Sequence, residues 1–172
     1  ILPSNLLKIS RGSFKNCSGL KEINIPNSVQ SIDLNAFTNC PNIEKMSIPF
    51  VGRIKDDSEG FEYIFDVKPA NLKEVIINGG YISPNAFAGY TSLTSVAIGS
   101  EVTKIGSYAF GDCKNIVDLV INEGVEILSS QAFYRCSSLE QVVLPESIND
   151  IGVSVFAGCA NLKEVNIPKQ IT

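Results

Sequence analysis

The chain of 172 residues contains no histidine. That absence removes Ser-His-Asp and Cys-His catalysis and any zinc site built on imidazole. C-x-x-C, G-x-x-x-x-G-K and G-x-G-x-x-G are also missing, and with them the common metal, phosphate and dinucleotide motifs. No apolar run approaches the ~20 residues that cross a bilayer, so no membrane insertion is expected in this segment. Positive charge is not in excess. The 14 Lys and Arg residues face 18 Asp and Glu, a net charge of −4, which argues against a nucleic-acid footprint or an anionic membrane surface. The chain opens on Ile1 without a basic start and apolar stretch, and is read as a piece of a longer chain.

What is present is repetition. Apolar residues make up 44% and charged residues 19%, enough to build a core. The segments IGSYAFGDCKNIVDLVINEGVEI, LSSQAFYRCSSLEQVVLPESINDI and GVSVFAGCANLKEVNIP say nearly the same thing three times. Phe110, Phe133 and Phe156 fall 23 apart, as do Cys113, Cys136 and Cys159, and Ile116, Leu139 and Leu162. A fixed period of this size is the signature of stacked coils. Phe14, Phe37, Phe65 and Phe87 extend the series to seven coils, with Phe65 taking the marker position of the third.

Within each coil an alternation such as Leu20, Ile23, Ile25 or Leu162, Val165, Ile167 describes a short strand with one buried face. Turn signals follow at Pro26, Pro49, Asn78, Gly99, Asn122, Pro145 and Pro168, where the strands are expected to end. A second apolar pair comes next, for example Val102 and Ile105, and then the A-F segment. That segment is too short for an α-helix, and a 3₁₀ or single helical turn is expected to close the coil.

Cys17 and Cys40 repeat the 23-residue spacing, so each thiol occupies one equivalent slot per coil. Side chains stacked ~4.8 Å apart point the same way, whereas a disulfide needs Cβ atoms converging to ~3.8 Å. Free, buried thiols are expected. Two coils depart from the pattern. The third is lengthened over about residues 46–75 and is expected to carry a protruding loop at Phe50 to Lys68; the fourth has Tyr90 in the Cys slot, whose hydroxyl needs a partner or water.

The pattern A-F-x-x-C-x-x-L-x-x-V-x-I-P-x-x-V-x-x-I, seen as AFGDCKNIVDLVI, AFYRCSSLEQVVLPESINDI and VFAGCANLKEVNIP, resembles the BspA-like leucine-rich repeats, the Treponema pallidum type. The likeness covers essentially the whole chain. It implies an α/β solenoid: a right-handed leucine-rich-repeat stack, mainly of short parallel β-strands with 3₁₀ or single-turn helices, about seven 23-residue coils forming one domain over 1–172. It also implies a cell-surface or secreted location and a role in adhesion, and it brings no catalytic residue, metal or cofactor.

Two surfaces are candidates for binding. The strand position between the two inward apolar residues runs Asn24, Ser47, Ile76, Ala97, Val120, Val143, Asn166, and Ile76, Ala97, Val120 and Val143 place apolar side chains where the alternation points outward. Such a strip is a partner-binding surface, or is covered by neighbours such as Lys73 and Glu74, or reflects strand propensity alone on a solvated sheet. The second is the loop carrying Arg53, Asp56, Asp57 and Glu59, whose spacing does not match a calcium loop. Glu22, Glu74, Asp118 and Glu164 share one strand position, interrupted by Lys45, Ser95 and Gln141, and describe a charge-balanced face rather than a paired-acid glycosidase site. Three function classes remain: a non-enzymatic extracellular module binding a protein, such as a host surface or matrix protein, or a glycan; a carbohydrate-active solenoid; and a structural spacer.

Overall fold

The period-2 alternations become short parallel strands in a computed structural model that describes residues 1–171. In order they are β1 Lys8–Ile9, β2 Glu22–Asn24, β3 Ser31–Ile32, β4 Lys45–Ile48, β5 Glu74–Ile82, β6 Ser95–Ile105, β7 Asp118–Ile121, β8 Ile127–Leu128, β9 Gln141–Val142, β10 Asp150–Ile151 and β11 Glu164–Val165. Every recorded pairing is parallel and joins one coil to the next. The result is a β-solenoid of about seven turns with three walls. One wall is the strand face, built by β2, β4, the first halves of β5 and β6, β7, β9 and β11. A second holds β1, β3, β8, β10 and the ends of β5 and β6. The third is the A-F segment.

That third wall differs from the helical turn expected. The only helical piece among the described residues is a 3₁₀ turn at Phe61–Ile64. Elsewhere the wall is a run of tight turns in which the residues two before and two after the phenylalanine are left-handed: Asn35 and Asn39 at φ 57° and 55°, Tyr108 and Asp112 both at 57°, Gln131 and Arg135 at 60° and 56°. Left-handed residues turn N–H groups toward the neighbouring coil. Tyr108, Phe110 and Asp112 donate to the carbonyls of Ser130, Ala132 and Tyr134 at 3.1, 2.8 and 2.8 Å. The turn wall is therefore hydrogen-bonded coil to coil, as the sheet is, and its buried backbone is satisfied without a helix.

Strands end where a proline removes the ladder donor, at Pro26 and Pro49, and also at Asn122. Asn78 and Gly99, read as turns, do not end theirs. β5 runs on to Ile82 and β6 to Ile105, with register irregularities between Ile77 and Gly79 and between Gly80 and Tyr81. Gly80 at φ 79° absorbs the irregularity, as glycine does in a bulge.

Inside, rings stack in one column. Phe14 lies 4.8 Å from Phe37, Phe87 5.1 Å from Phe110, Phe110 5.3 Å from Phe133 and Phe133 5.6 Å from Phe156, all within 5° of parallel. The third coil does not place Phe65 alone in this column. Phe65 faces Phe37 at 5.6 Å, Phe61 faces Phe87 at 4.7 Å, and the two touch each other at 5.2 Å. Backbone bonds confirm the split: Phe37 N–H donates to Ile64 O beside Phe65, while Phe61 N–H donates to Ala86 O. The 3₁₀ turn thus threads two rings into one coil, which is where its added residues go.

The same insertion explains Tyr90. Lys68 fills the third coil's Cys slot, and its ammonium lies 4.3 Å from the centre of the Tyr90 ring and 2.8 Å from Ala88 O. Tyr90 packs edge-on against Phe61 and Phe87. Its hydroxyl, expected to find a partner or water, is buried and unpaired. The other slots hold free thiols as expected: Cys40, Cys113, Cys136 and Cys159 are buried and Cys17 is partly so.

Candidate functional site: the strand face of coils five and six

The strand register aligns residues from successive coils in columns. Glu22, Lys45, Glu74, Ser95 and Asp118 form one; Asn24, Ser47, Ile76, Ala97 and Val120 form the next outward-facing one. Just before them stand Lys21, Glu44, Lys73, Thr94, Val117, Glu140 and Lys163. Opposite charges meet between coils: Lys45 Nζ to Glu74 Oε1 at 2.8 Å, Lys73 Nζ to Glu44 Oε2 at 2.7 Å, Lys163 Nζ to Glu140 Oε2 at 2.8 Å. Hydrogen bonds from Lys73 and Lys163 hold the Glu44 and Glu140 carboxyls below their usual range. These exposed pairs each contribute little to stability, but they cover the face with satisfied charge.

The cover lapses at the fourth and fifth coils. Thr94 and Val117 replace the Lys/Glu partners, and no ion pair joins these rungs among the described residues. Val117, Val120 and Val143 are 53%, 51% and 63% exposed. Ile76 and Ala97, in the same column as Val120, are only partly exposed, so the four-residue strip divides. Its open half is Val120 and Val143, joined by Val117.

The sheet divides at the same place. β7 pairs with β6 and β9 with β11, but among the described residues no pairing joins β7 to β9. Coil six is tied to coil seven, where Asn166 accepts from Leu144 N–H at 2.7 Å and donates to Leu144 O at 2.8 Å, and to coil five only beyond the strand ends, by Ser138 N–H to Lys114 O and by Glu146 and Ser147 N–H to Glu123. The other two walls stay bonded across this seam, through Lys104↔Ile127 and Ile105↔Leu128 and through Phe110 N–H to Ala132 O. Beside the seam a cleft of about 410 Å³ lies between Ile121, Glu123, Val143, Leu144, Glu146 and Asn166. A larger cavity of about 650 Å³, between Leu2, Phe14, Leu20 and Ile23, is the apolar end of the first coil.

The loop residues are placed differently from the expectation. Much of Phe50 to Lys68 is coil wall: Phe50, Val51, Phe61, Ile64 and Phe65 are buried, and the exposed residues are mainly those of 53–59 together with Glu62, Asp66 and Val67. Arg53 O accepts from Ile32 N–H at 2.9 Å, and Glu59 O accepts from the Ser83 hydroxyl at 2.9 Å. Gly52, at φ 86°, lets the chain return so closely that a Cβ there would lie 2.6 Å from Glu59 O. Arg53 Nε meets Asp57 Oδ2 at 3.4 Å, and Asp57 also accepts from Ser58 N–H. Asp56 and Glu59 are exposed. Arg53, Asp56, Asp57 and Glu59 thus share one tight loop, and no group of three acids among the described residues is arranged to hold a metal.

A model of the "BspA type Leucine rich repeat region" matches residues 1–77 and 57–172, with six copies. The chain belongs to the BspA-type leucine-rich repeat family. Solved structures of similar shape include a leucine-rich repeat protein from Bacteroides ovatus, 28% identical with a TM-score of 0.71 over 99% of this chain and 43% of that one. A leucine-rich cell surface protein from Faecalibacterium prausnitzii is 22% identical, TM-score 0.52, over 93% of this chain and 42% of that one. The pneumococcal vaccine antigen PcpA is 20% identical, TM-score 0.51, over 97% and 44%. The chain therefore spans less than half the length of these proteins. A comparison with curated proteins gives no match.

Against the BspA-type pattern, two features of this chain escaped the sequence. Val117 was the first, legible only by comparing its column across coils. The second is a cluster on the turn wall: the Tyr108 hydroxyl donates to Asp112, the Tyr108 and Tyr134 rings lie 5.8 Å apart, and the Arg135 guanidinium sits 5.0 Å over Tyr134. Its signal was a tyrosine in a left-handed slot that elsewhere holds Gly12, Asn35, Asn85, Gln131 or Ser154.

Proposed function

We propose that this chain is a non-enzymatic protein-binding segment of a surface or secreted repeat protein, engaging its partner through the strand face of coils five and six. The observation that carries this reading is the exposure of Val117, Val120 and Val143, with the paired charge lapsing beside the first two. Exposed valines on a rigid parallel sheet, rimmed by polar residues, are what a partner's apolar side chains bury against. The absence of histidine and of clustered acids removes the usual catalytic constellations, and the names of the Faecalibacterium and pneumococcal relatives favour an extracellular setting.

The test is binding of the purified chain to immobilised extracellular-matrix proteins, with Val120→Lys/Val143→Lys beside the parent. Loss of binding by the double variant, with thermal unfolding unchanged, is expected. Undiminished binding by it sinks the reading. A glycan partner is the second reading, favoured by the Tyr108–Tyr134 ring pair with its flanking Asp112 and Arg135. A glycan array on the parent and on Tyr134→Ser separates it from the first, and a broad polysaccharide-hydrolysis panel, expected to be negative, tests for activity.

A further inference from the structure

Charge is not spread evenly along the stack. Ten basic and ten acidic residues precede Asp112; four basic and eight acidic residues make up the rest, so the net charge of −4 lies wholly from Asp112 onward. From Asn115 to Asp150 there are six acids, Asp118, Glu123, Glu126, Glu140, Glu146 and Asp150, against the single base Arg135. Arg135 stands on the turn wall, stacked over Tyr134. Lys163, the base closest along the strand face, is committed to Glu140 at 2.8 Å. Glu123 spends its oxygens on the N–H groups of Glu146 and Ser147, both at 3.1 Å, which fixes the carboxylate beside the cleft without neutralising it.

The exposed valines and the cleft therefore sit in a net negative field, bordered by Lys114, whose carbonyl accepts from Ser138 N–H at 3.1 Å, and by Lys169, whose backbone N–H donates to Glu146 Oε2 at 3.4 Å. We infer that the occupant of this face is a basic protein segment: an apolar side chain seated by Val120 and Val143, flanked by lysine or arginine that meet Asp118, Glu123 and Glu146. The inference rests on the strand-face reading above and names its partner's chemistry. Complementary charge steers such a segment from a distance and rejects acidic ones, with an effect that weakens as salt shortens the screening length. Nucleic acid and anionic lipid are repelled by the same field.

The experiment titrates the whole chain with three synthetic peptides, acetyl-KRLLRK-amide, acetyl-KRSSRK-amide and acetyl-EDLLDE-amide, following amide chemical shifts at 50 and 300 mM NaCl. The first peptide is expected to bind at coils five and six, about tenfold more weakly at the higher salt. The serine and acidic peptides are expected to shift nothing there. Asp118→Asn/Glu123→Gln/Glu146→Gln keeps the hydrogen-bond acceptors and should weaken binding by about tenfold; Val120→Ser/Val143→Ser should abolish it without adding charge. Equal binding of the acidic peptide, equal binding of the serine peptide, or indifference to the amide substitutions overturns the inference. If matrix proteins bind through the valines while the basic peptide does not, the partner chemistry is wrong and the strand-face reading stands. If the valine variants lose nothing with either probe, that reading fails.

Discussion

The thiol of Cys136 donates to the carbonyl oxygen of Phe110, 3.2 Å away in the preceding coil. Cys40, Cys113 and Cys159 make the same bond to Phe14, Phe87 and Phe133, at 2.9, 3.0 and 3.2 Å. The cysteine column is thus a second hydrogen-bonded seam beside the ring column, and its thiols point along the stack rather than toward one another. With DTNB under native conditions only Cys17, the partly exposed one, should react promptly; all five should react in denaturant. Rapid labelling of Cys136 in the folded protein would show that the coils part there.

Burial sets the pH response of the same column. It raises the Cys113 thiol to about 12 and pushes Cys136 up as well. A raised folded value means that the contribution is complete below the unfolded thiol value, ~8.5, and is lost as pH climbs toward the folded one. Urea midpoints should therefore fall from about pH 8.5 upward. Cys113→Ala/Cys136→Ala should flatten that slope while lowering stability at pH 7.

Tyr90→Phe should stabilise the fold by about 1 to 3 kcal/mol, because it removes a buried hydroxyl that has no partner. Tyr90→Cys, which restores the family residue, should do the reverse. The third coil has already widened around the ring through Phe61 and Lys68, and a cysteine would leave a cavity. The pair of urea midpoints checks both directions.

Phe61→Ala and Phe65→Ala should each cost about 3 to 5 kcal/mol, as should Phe110→Ala in a regular coil. Since Phe61 and Phe65 touch at 5.2 Å, the double variant should cost less than the two singles together. Denaturation midpoints that scarcely move for Phe61→Ala would mean that Phe65 alone carries the column.

Gly111 lies beneath the Tyr108 ring, where an added Cβ would come within 2.4 Å of it. Gly111→Ala should therefore displace the ring from Asp112 and destabilise the protein, and the cost should largely vanish in the Tyr108→Asn background. A thermal-shift double-mutant cycle reads this coupling. In the parent, the bond to Asp112 holds the Tyr108 phenol protonated to about pH 12, and Gly111→Ala should bring its ultraviolet titration back toward 10.

The coil number, the ring and thiol columns and the strand register were legible because a fixed period places equal residues over one another whatever the details. Turn-wall conformation was not, because it depends on φ, and only the recurrence of Asn and Gly around each phenylalanine hinted at it. Asn78, Gly79 and Gly80 look like a chain reversal, yet each keeps an N–H and the bulge at Gly80 lets β5 continue. The third coil offers two phenylalanines four apart, and sequence alone does not say that both are used. Alternation placed Ile76, Ala97, Val120 and Val143 on the outer face alike. The neighbouring column does not sort them the same way: Glu74 beside Ile76 pairs with Lys45 and Glu140 beside Val143 pairs with Lys163, whereas Thr94 and Val117, beside Ala97 and Val120, carry no pair.

The missing rungs between β7 and β9 also give the stack a direction of mechanical weakness. Tension along its axis loads the bonds between coils, and at most junctions the walls carry that load side by side. At the junction of coils five and six no strand rung among the described residues carries it, and the face is held only at its two ends, by Ser138 N–H to Lys114 O and by Glu123 to the N–H groups of Glu146 and Ser147, so the stack should gape there first, like a book opened at its fore-edge. The cleft between Ile121 and Leu144 would widen as the protein is pulled, and a ligand seated in it would hold differently under shear than at rest.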